Sequence, residues 1–170
     1  MIPVLVVTGP IGVGKTAVLH EVDSLLVAPG SCHATVEMEE IARCWAPATE
    51  LARSAIAFRN LAALWSSFAA VGADRLILSA LVEHRSDVEG VSHAVPGAVV
   101  TIARLHAPLP VLEERIRSRE AGEAVEGELD GARWWMRRFE EQHPEDFVVE
   151  TDRPIRAVAE ELLRGAGWLA

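Results

Sequence analysis

Short unbroken apolar runs alternate along this chain with longer stretches in which apolar residues return every third or fourth position. Val4-Leu5-Val6-Val7 is the first run, and its lack of polar alternation predicts a strand buried on both faces. Val18, Val22, Leu25 and Leu26 follow at helical spacing. His33-Ala34-Thr35-Val36 reads as a second short strand, closing at the acids Glu37, Glu39 and Glu40. From about Glu50 to Val71 a broad apolar face (Ile56, Leu61, Leu64, Trp65, Phe68) predicts a long helix stopped by Gly72. Arg75 to Leu81 is a third buried strand and Ala98 to Leu105 a fourth. A turn at Ala107-Pro108-Leu109-Pro110 leads into a helix near Val111, with Leu112 and Ile116 inward. Phe147-Val148-Val149-Glu150 is a fifth strand, and Ile155, Val158, Ala159, Leu162 and Leu163 mark a final helix. Strands and helices in this alternation predict one α/β domain, an open five-stranded parallel sheet with helices on both faces. No internal repeat or linker divides it.

Between the first strand and the first helix lies Gly9-Pro10-Ile11-Gly12-Val13-Gly14-Lys15-Thr16, which fits G-x-x-x-x-G-K-[ST] at every fixed position. Strand, glycine loop and helix in that order is the context this motif requires, so the sheet is expected to be a three-layer P-loop NTPase fold. Lys15 is the only lysine; every other formally basic side chain is arginine. A compact ammonium can reach between the β- and γ-phosphates of a nucleotide, where a planar guanidinium is too broad. The backbone must curl so that successive N–H groups face a polyphosphate, and the helix beginning near Gly14 or Lys15 adds its positive dipole end. Pro10 carries no donor, so the amides from Gly12 onward are expected to do most of the cradling. Candidate nucleotide-binding residues are therefore Gly9, Pro10, Ile11, Gly12, Val13, Gly14, Lys15, Thr16 and Ala17, with the Thr16 hydroxyl a candidate Mg²⁺ ligand.

A phosphate loop serves switches, motors and kinases equally. With one lysine already placed, no guanine-reading N-K-x-D segment can exist. Asp87-Val88-Glu89-Gly90 matches D-x-x-G but reads as an ordinary turn. The third strand does not end in the paired acids of motor ATPases; Glu83 comes late and alone. Arg115 and Arg119, four apart, share a helical face. Glu120 to Asp130 then holds Gly122 and Gly127 and few large apolar residues, so it is expected to be a mobile flap within a lid around 115–138. A flap anchored by arginines is what transfer to an acceptor other than water requires. The alternative is a solvated Glu/Arg helix with i,i+4 pairs. Arg133, Arg137 and Arg138 read as surface charges over the Trp134-Trp135 pair.

The net charge of −9 speaks against a nucleic-acid-binding surface, and no apolar run has the length of a membrane span. The apolar start is broken at Pro3 and runs into the loop, unlike a signal peptide. Cys32 and Cys44 have no metal-ligand spacing and read as thiols of a reducing cytoplasm, with Cys44 packed beside Trp45.

These residues carry a resemblance. The Gly9–Thr16 loop, the acids Glu37 and Glu39, Arg59-Asn60 in the long helix, Arg115 with Arg119, and Val148-Val149-Glu150-Thr151-Asp152 resemble the small P-loop kinases of the nucleoside-monophosphate-kinase-like group. The style is that of adenylylsulfate kinases, gluconate kinases and chloramphenicol phosphotransferases. The resemblance implies a central phosphate-loop strand, a lid after the fourth strand, and Thr151 near the adenine. It departs in having Glu37-Met38-Glu39 where relatives carry D-x-D or D-G-D. The expected function is ATP-dependent transfer of the γ-phosphoryl to a hydroxyl-type small-molecule acceptor, with Mg²⁺, by a monomer or homodimer. In that reading Lys15, Arg115 and Arg119 stabilise the transferring phosphoryl, Glu39 is the acceptor-orienting base and Glu37 supports the metal. Arg59 and Arg85 are candidate acceptor contacts, against a surface salt-bridge role. If the second strand persists, both glutamates face one side; if a helix begins at Met38 or Glu39, only one points at the acceptor. The competing expectations are a non-catalytic ATP-binding regulatory or accessory protein and a slow ATPase coupled to a partner.

Overall fold

A computed structural model describes residues 1–28, 30–44, 50–119 and 124–169, with the side chains of 50–52 not described. The strands are β1 (Ile2–Thr8), β2 (His33–Glu37), β3 (Arg75–Ser79), β4 (Ala98–His106) and β5 (Phe147–Glu150). All pair in parallel, in the order β2-β3-β1-β4-β5, which puts the strand feeding the phosphate loop at the centre. Val4 to Val7 are each 1% exposed or less, which is why that run has no polar alternation.

Helices α1 (Lys15–Val27) and α7 (Ile155–Gly165) cover one face, packing on Leu5, Val7, Ile77, Ala103, Leu105 and Val149. The other face, with Val4, Val6, Leu76, Leu78 and Ile102, carries α3 (Glu50–Ala70) and the short α4 (Glu89–Ala94). Successive strand residues point to opposite faces, so one sheet supplies both cores. At the carboxyl ends of the strands sit α2 (Met38–Ile41), α5 (Leu109–Arg119) and α6 (Ala124–Gln142).

One open alternative is decided and two expectations change. The second strand stops at Glu37 and α2 begins at Met38, so the two glutamates do not continue along one strand face. The third strand ends at Ser79, and Asp87 closes a 3-10 turn (Arg85–Val88) by accepting from the Glu83 and His84 amides at 2.8 Å each. The expected flap is helical from Ala124 onward: Leu129 and Ala132 of α6 bury against Ile116 of α5, with Ile11 of the phosphate loop packed on them. The stretch 120–123, including Gly122, lies outside the described residues, as does Trp45. Among the described residues no helix is long and apolar enough to cross a membrane.

Candidate active site

The loop between β1 and α1 is shaped by its glycines. Gly14 caps α1 with φ 99°, and a Cβ built there would meet nothing within 4 Å, so the side facing the loop's interior stays open. Gly12 has φ 84°, and a Cβ there would lie 2.9 Å from Ile116 and 3.2 Å from the Leu112 carbonyl, so α5 can seat directly on the loop. Lys15 folds over this curl, its Nζ donating to the carbonyls of Gly9 (2.9 Å) and Pro10 (3.4 Å). Burial pulls the Lys15 ammonium below its ordinary pKa of 10.5; Glu39 and Glu37 oppose that shift and Arg119 adds to it. All three charged side chains therefore lie close enough to act on Lys15.

The break between β2 and α2 sends the two glutamates to different places. Glu37 Oε2 accepts from the Thr16 hydroxyl at 2.8 Å. Glu39 Oε1 accepts from the Leu81 amide at 3.2 Å, and Glu39 lines a cavity of about 790 Å³ on the α3–α4 side of the sheet. Asn60 steadies the helix carrying Glu39, donating from Nδ2 to the Ile41 carbonyl at 2.8 Å. Thr16 and Glu37 together offer the hard oxygen donors that suit Mg²⁺. Among the described residues no group of three or more His, Cys, Asp or Glu side chains could hold a metal by itself, so nucleotide and water oxygens would have to complete such a site.

Arg115 does not run out to solvent. Its guanidinium donates to the Val13 carbonyl (3.2 Å), the Thr151 hydroxyl (3.0 Å) and the Thr151 carbonyl (2.6 Å). It thus ties the phosphate loop to the end of β5, and Thr151 is itself held by its amide on the His106 carbonyl at 2.8 Å. Arg119 pairs with Glu128 of α6 at 2.6 Å. The i,i+4 pairing expected of a solvated helix falls instead to Arg117 and Glu113 (3.1 Å).

Two candidate acceptor contacts lie elsewhere. Arg59 is exposed and does not line the cavity; one α3 face presents Arg53, Ala57 and Phe58 there, and position 59 turns away from it. Arg85 makes a two-pronged pair with Asp146 (2.8 and 3.3 Å) beside a separate cavity of about 370 Å³. Burial, the largest single influence, raises the Asp146 carboxyl, but the Arg85 hydrogen bond, the Ile102 amide and the Arg85 charge together outweigh it and hold the group below its ordinary pKa.

Sequence reasoning missed several residues. Arg53 and Trp135 line the cavity, and Arg138, which does lie over Trp134 as read (5.6 Å from the ring centre), also pairs with Glu83 at its edge. Arg104 and Glu145 form a nearly buried pair at 3.1 Å under the Phe139 ring. The signal for Arg53 was its i,i+4 relation to Ala57 on the inward face of a predicted helix. Nothing in the local sequence announces the Arg104–Glu145 pair, whose members are brought together only by β4 and the turn that leads into β5 beside it. Cys32 and Cys44 are free and exposed.

No family profile and no curated protein sequence matches the chain. Solved structures do share its fold. A tunicamycin resistance protein from Deinococcus radiodurans superposes with a TM-score of 0.66 at 23% identity, covering 100% of this chain and 98% of that one. A gluconokinase from Sinorhizobium meliloti gives 0.64 at 20% identity, over 97% and 91% of the two chains. A shikimate kinase from Acinetobacter baumannii, solved with shikimate, gives 0.62 at 15%, over 96% and 92%.

Proposed function

We propose that this chain, which has the fold of the small P-loop kinases, transfers the γ-phosphoryl group of ATP to a hydroxyl held beside Glu39. The observation that carries this is the division of labour around Lys15: one glutamate sits on Thr16 and the other opens into a cavity. An ATPase needs only water at that position and has no use for a cavity of about 790 Å³ beside Glu39. In the transfer, the acceptor oxygen bonds to the γ-phosphorus while the bond to the β–γ bridging oxygen breaks. The acceptor proton passes to Glu39, and ADP leaves.

Lys15 would leave the Gly9 and Pro10 carbonyls for the phosphate oxygens, exchanging neutral acceptors for charged ones. Thr16 and Glu37 would hold Mg²⁺, which supplies charge neutralisation at the phosphate oxygens. Arg119, which pairs with Glu128 of α6, would turn to the transferring phosphoryl. Arg115 acts as a positioning residue, setting the loop against Thr151 on the side the resemblance gives to the adenine. The lid in this proposal is the unit of α5 and α6, seated on the loop through Ile11 and Ile116. The free thiols fit a reducing cytoplasm.

A ³¹P-monitored turnover assay with Mg·ATP tests the reading. Phosphorylated product must form in step with ADP when an acceptor is present. ADP formation that no alcohol, sugar or nucleoside accelerates would overturn transfer in favour of hydrolysis.

A further inference from the structure

Ala80 to Glu83 leave the end of β3 along the cavity wall, and every amide from Ala80 to His84 is bonded. The Ala80 amide donates to the Val7 carbonyl at 3.1 Å, the Leu81 amide to Glu39 Oε1 at 3.2 Å and the Val82 amide to the Thr8 hydroxyl oxygen at 3.1 Å. The amide that meets Glu39 is thus flanked on both sides by bonds to the last residues of β1. Gly9 of the phosphate loop follows Thr8 directly.

Thr8 is fully buried, and its hydroxyl serves a backbone group seventy-four positions away. Val4 and Val6 lie on the same face of the strand and do the packing there without a polar atom. A buried hydroxyl at the next such position costs desolvation unless it is bonded, and Val82 supplies that bond.

Glu39 has little else to fix its reach. It stands on α2, a single turn of four residues, after a strand that β3 separates from β1. The Thr16–Glu37 bond fixes the end of β2, short of the change from strand to helix that precedes Glu39. Asn60 holds the far end of that turn, but from α3 rather than from the loop. The spacing between the Glu39 carboxylate and the phosphate loop is therefore carried by the extension of β3, which the Ala80 and Val82 bonds set against β1.

Resting on the kinase reading, we infer that Thr8 is a positioning residue for the transfer: its hydroxyl holds the Val82 amide so that the neighbouring Leu81 amide aims Glu39 at the acceptor hydroxyl. Transfer is sensitive to such placement, since a displacement of about 1 Å can cost roughly a hundredfold in rate.

The test is a double-mutant cycle on the full chain, with the alcohol, sugar or nucleoside that gives the fastest ³¹P-monitored transfer as acceptor. Thr8→Val keeps the side chain's shape and removes the hydrogen-bond acceptor. It should lower kcat by roughly tenfold or more, with calorimetric Mg·ATP affinity and acceptor KM within about threefold of the parent. Thr8→Ser should restore kcat. In a Glu39→Gln background, Thr8→Val should lower kcat no further, because the group through which it acts is already lost. Thr8→Ala gives a second reading if the valine variant does not fold, since it leaves room for water at the Val82 amide; it is expected to lose kcat in the same way. A parental kcat in the folded valine or alanine variant overturns the inference, as does an equal fall in both backgrounds, which would mark Thr8 as structural. Either result leaves the kinase reading standing. A parent protein whose turnover no acceptor accelerates overturns the kinase reading, and the inference with it.

Discussion

Lys15, Glu37 and Glu39 converge from three short segments, and each makes a different demand on the charge it carries. The Lys15 ammonium is half-buried and turned inward, so replacing it with alanine removes the loop's own cation while leaving the sheet intact. Lys15→Ala is expected to abolish calorimetrically detectable Mg·ATP binding at micromolar protein, and Lys15→Arg to fail as well, because the fork cannot enter the curl. The glutamates separate by role. Glu39→Gln should lower acceptor-dependent turnover by roughly a hundredfold or more with ATP affinity nearly intact. Glu37→Gln should instead raise the Mg²⁺ concentration needed for half-maximal turnover, since its oxygen faces Thr16. Equal, mild effects from both, seen only in thermal stability, would return the pair to a helix-start role, in which Glu39 and Glu40 favour the first turn of α2.

At the scale of elements, the lid is where a sequence reading and the fold part most clearly. The predicted helix near Val111 begins at Leu109, with Pro110 in its first turn, where no amide is missed. The following stretch reads as a flap because Gly127 and many small or charged residues dilute its pattern. Even so, Val125, Leu129, Ala132 and Phe139 hold a sparse helical spacing, and they pack in α6. Gly131 is part of the reason: a Cβ there would sit 2.7 Å from Ile11 Cδ1, so the small residue admits the phosphate loop. Arg115 gives this region its test. Arg115→Ala leaves the Thr151 and Val13 oxygens without their donor. It should cost about 2–3 kcal/mol, a fall in Tm of roughly 5–10 °C, and weaken nucleotide binding. Arg115→Lys should recover little, because one ammonium cannot span acceptors on two elements. A thermal melt matching the parent protein would remove the clamp from the account.

Across the whole molecule, ion pairs fasten the strand ends and the lid to one another, and they make stability depend on pH in a definite direction. Hydrogen bonds from Arg133 and Arg117 hold the Glu113 carboxyl below its ordinary 4.5, and Arg85 holds Asp146 below 3.8. The folded state favours both charged forms. Their contribution is complete above those values and is lost as pH falls through the lower folded ones. Tm should therefore decline as pH drops below about 4.5, and Glu113→Gln should be less stable at neutral pH but flatter in that acid range. Lys15 has the same sign in a higher window: folding disfavours its charged form, so stability rises as pH climbs through the lowered folded value toward 10.5. A melting profile in which the parent and Glu113→Gln run parallel would exclude the Arg133–Glu113 contact between α5 and α6 as a source of acid sensitivity.

The alternation of apolar runs was enough by itself to specify five strands, their parallel sheet and the loop that closes on Lys15. Those features follow from local periodicity and from a motif whose residues are neighbours in sequence. What the chain pattern did not hold was the assignment of partners. Arg115 could have been a solvated helix charge, and became a clamp only because β5 ends beside the loop. Arg59 and Arg85 were equally basic and equally plausible as acceptor contacts. The turn of α3 directs the first to solvent, and Asp146, sixty-one positions away, takes the second. Glu37 and Glu39 are two apart in either conformation; the strand's end between them sends one to Thr16 and the other to the cavity. Local periodicity depends on the chain's own contacts and is readable at short range. Which charge meets which is fixed by long-range packing, and that exists only once the sheet has brought distant segments together.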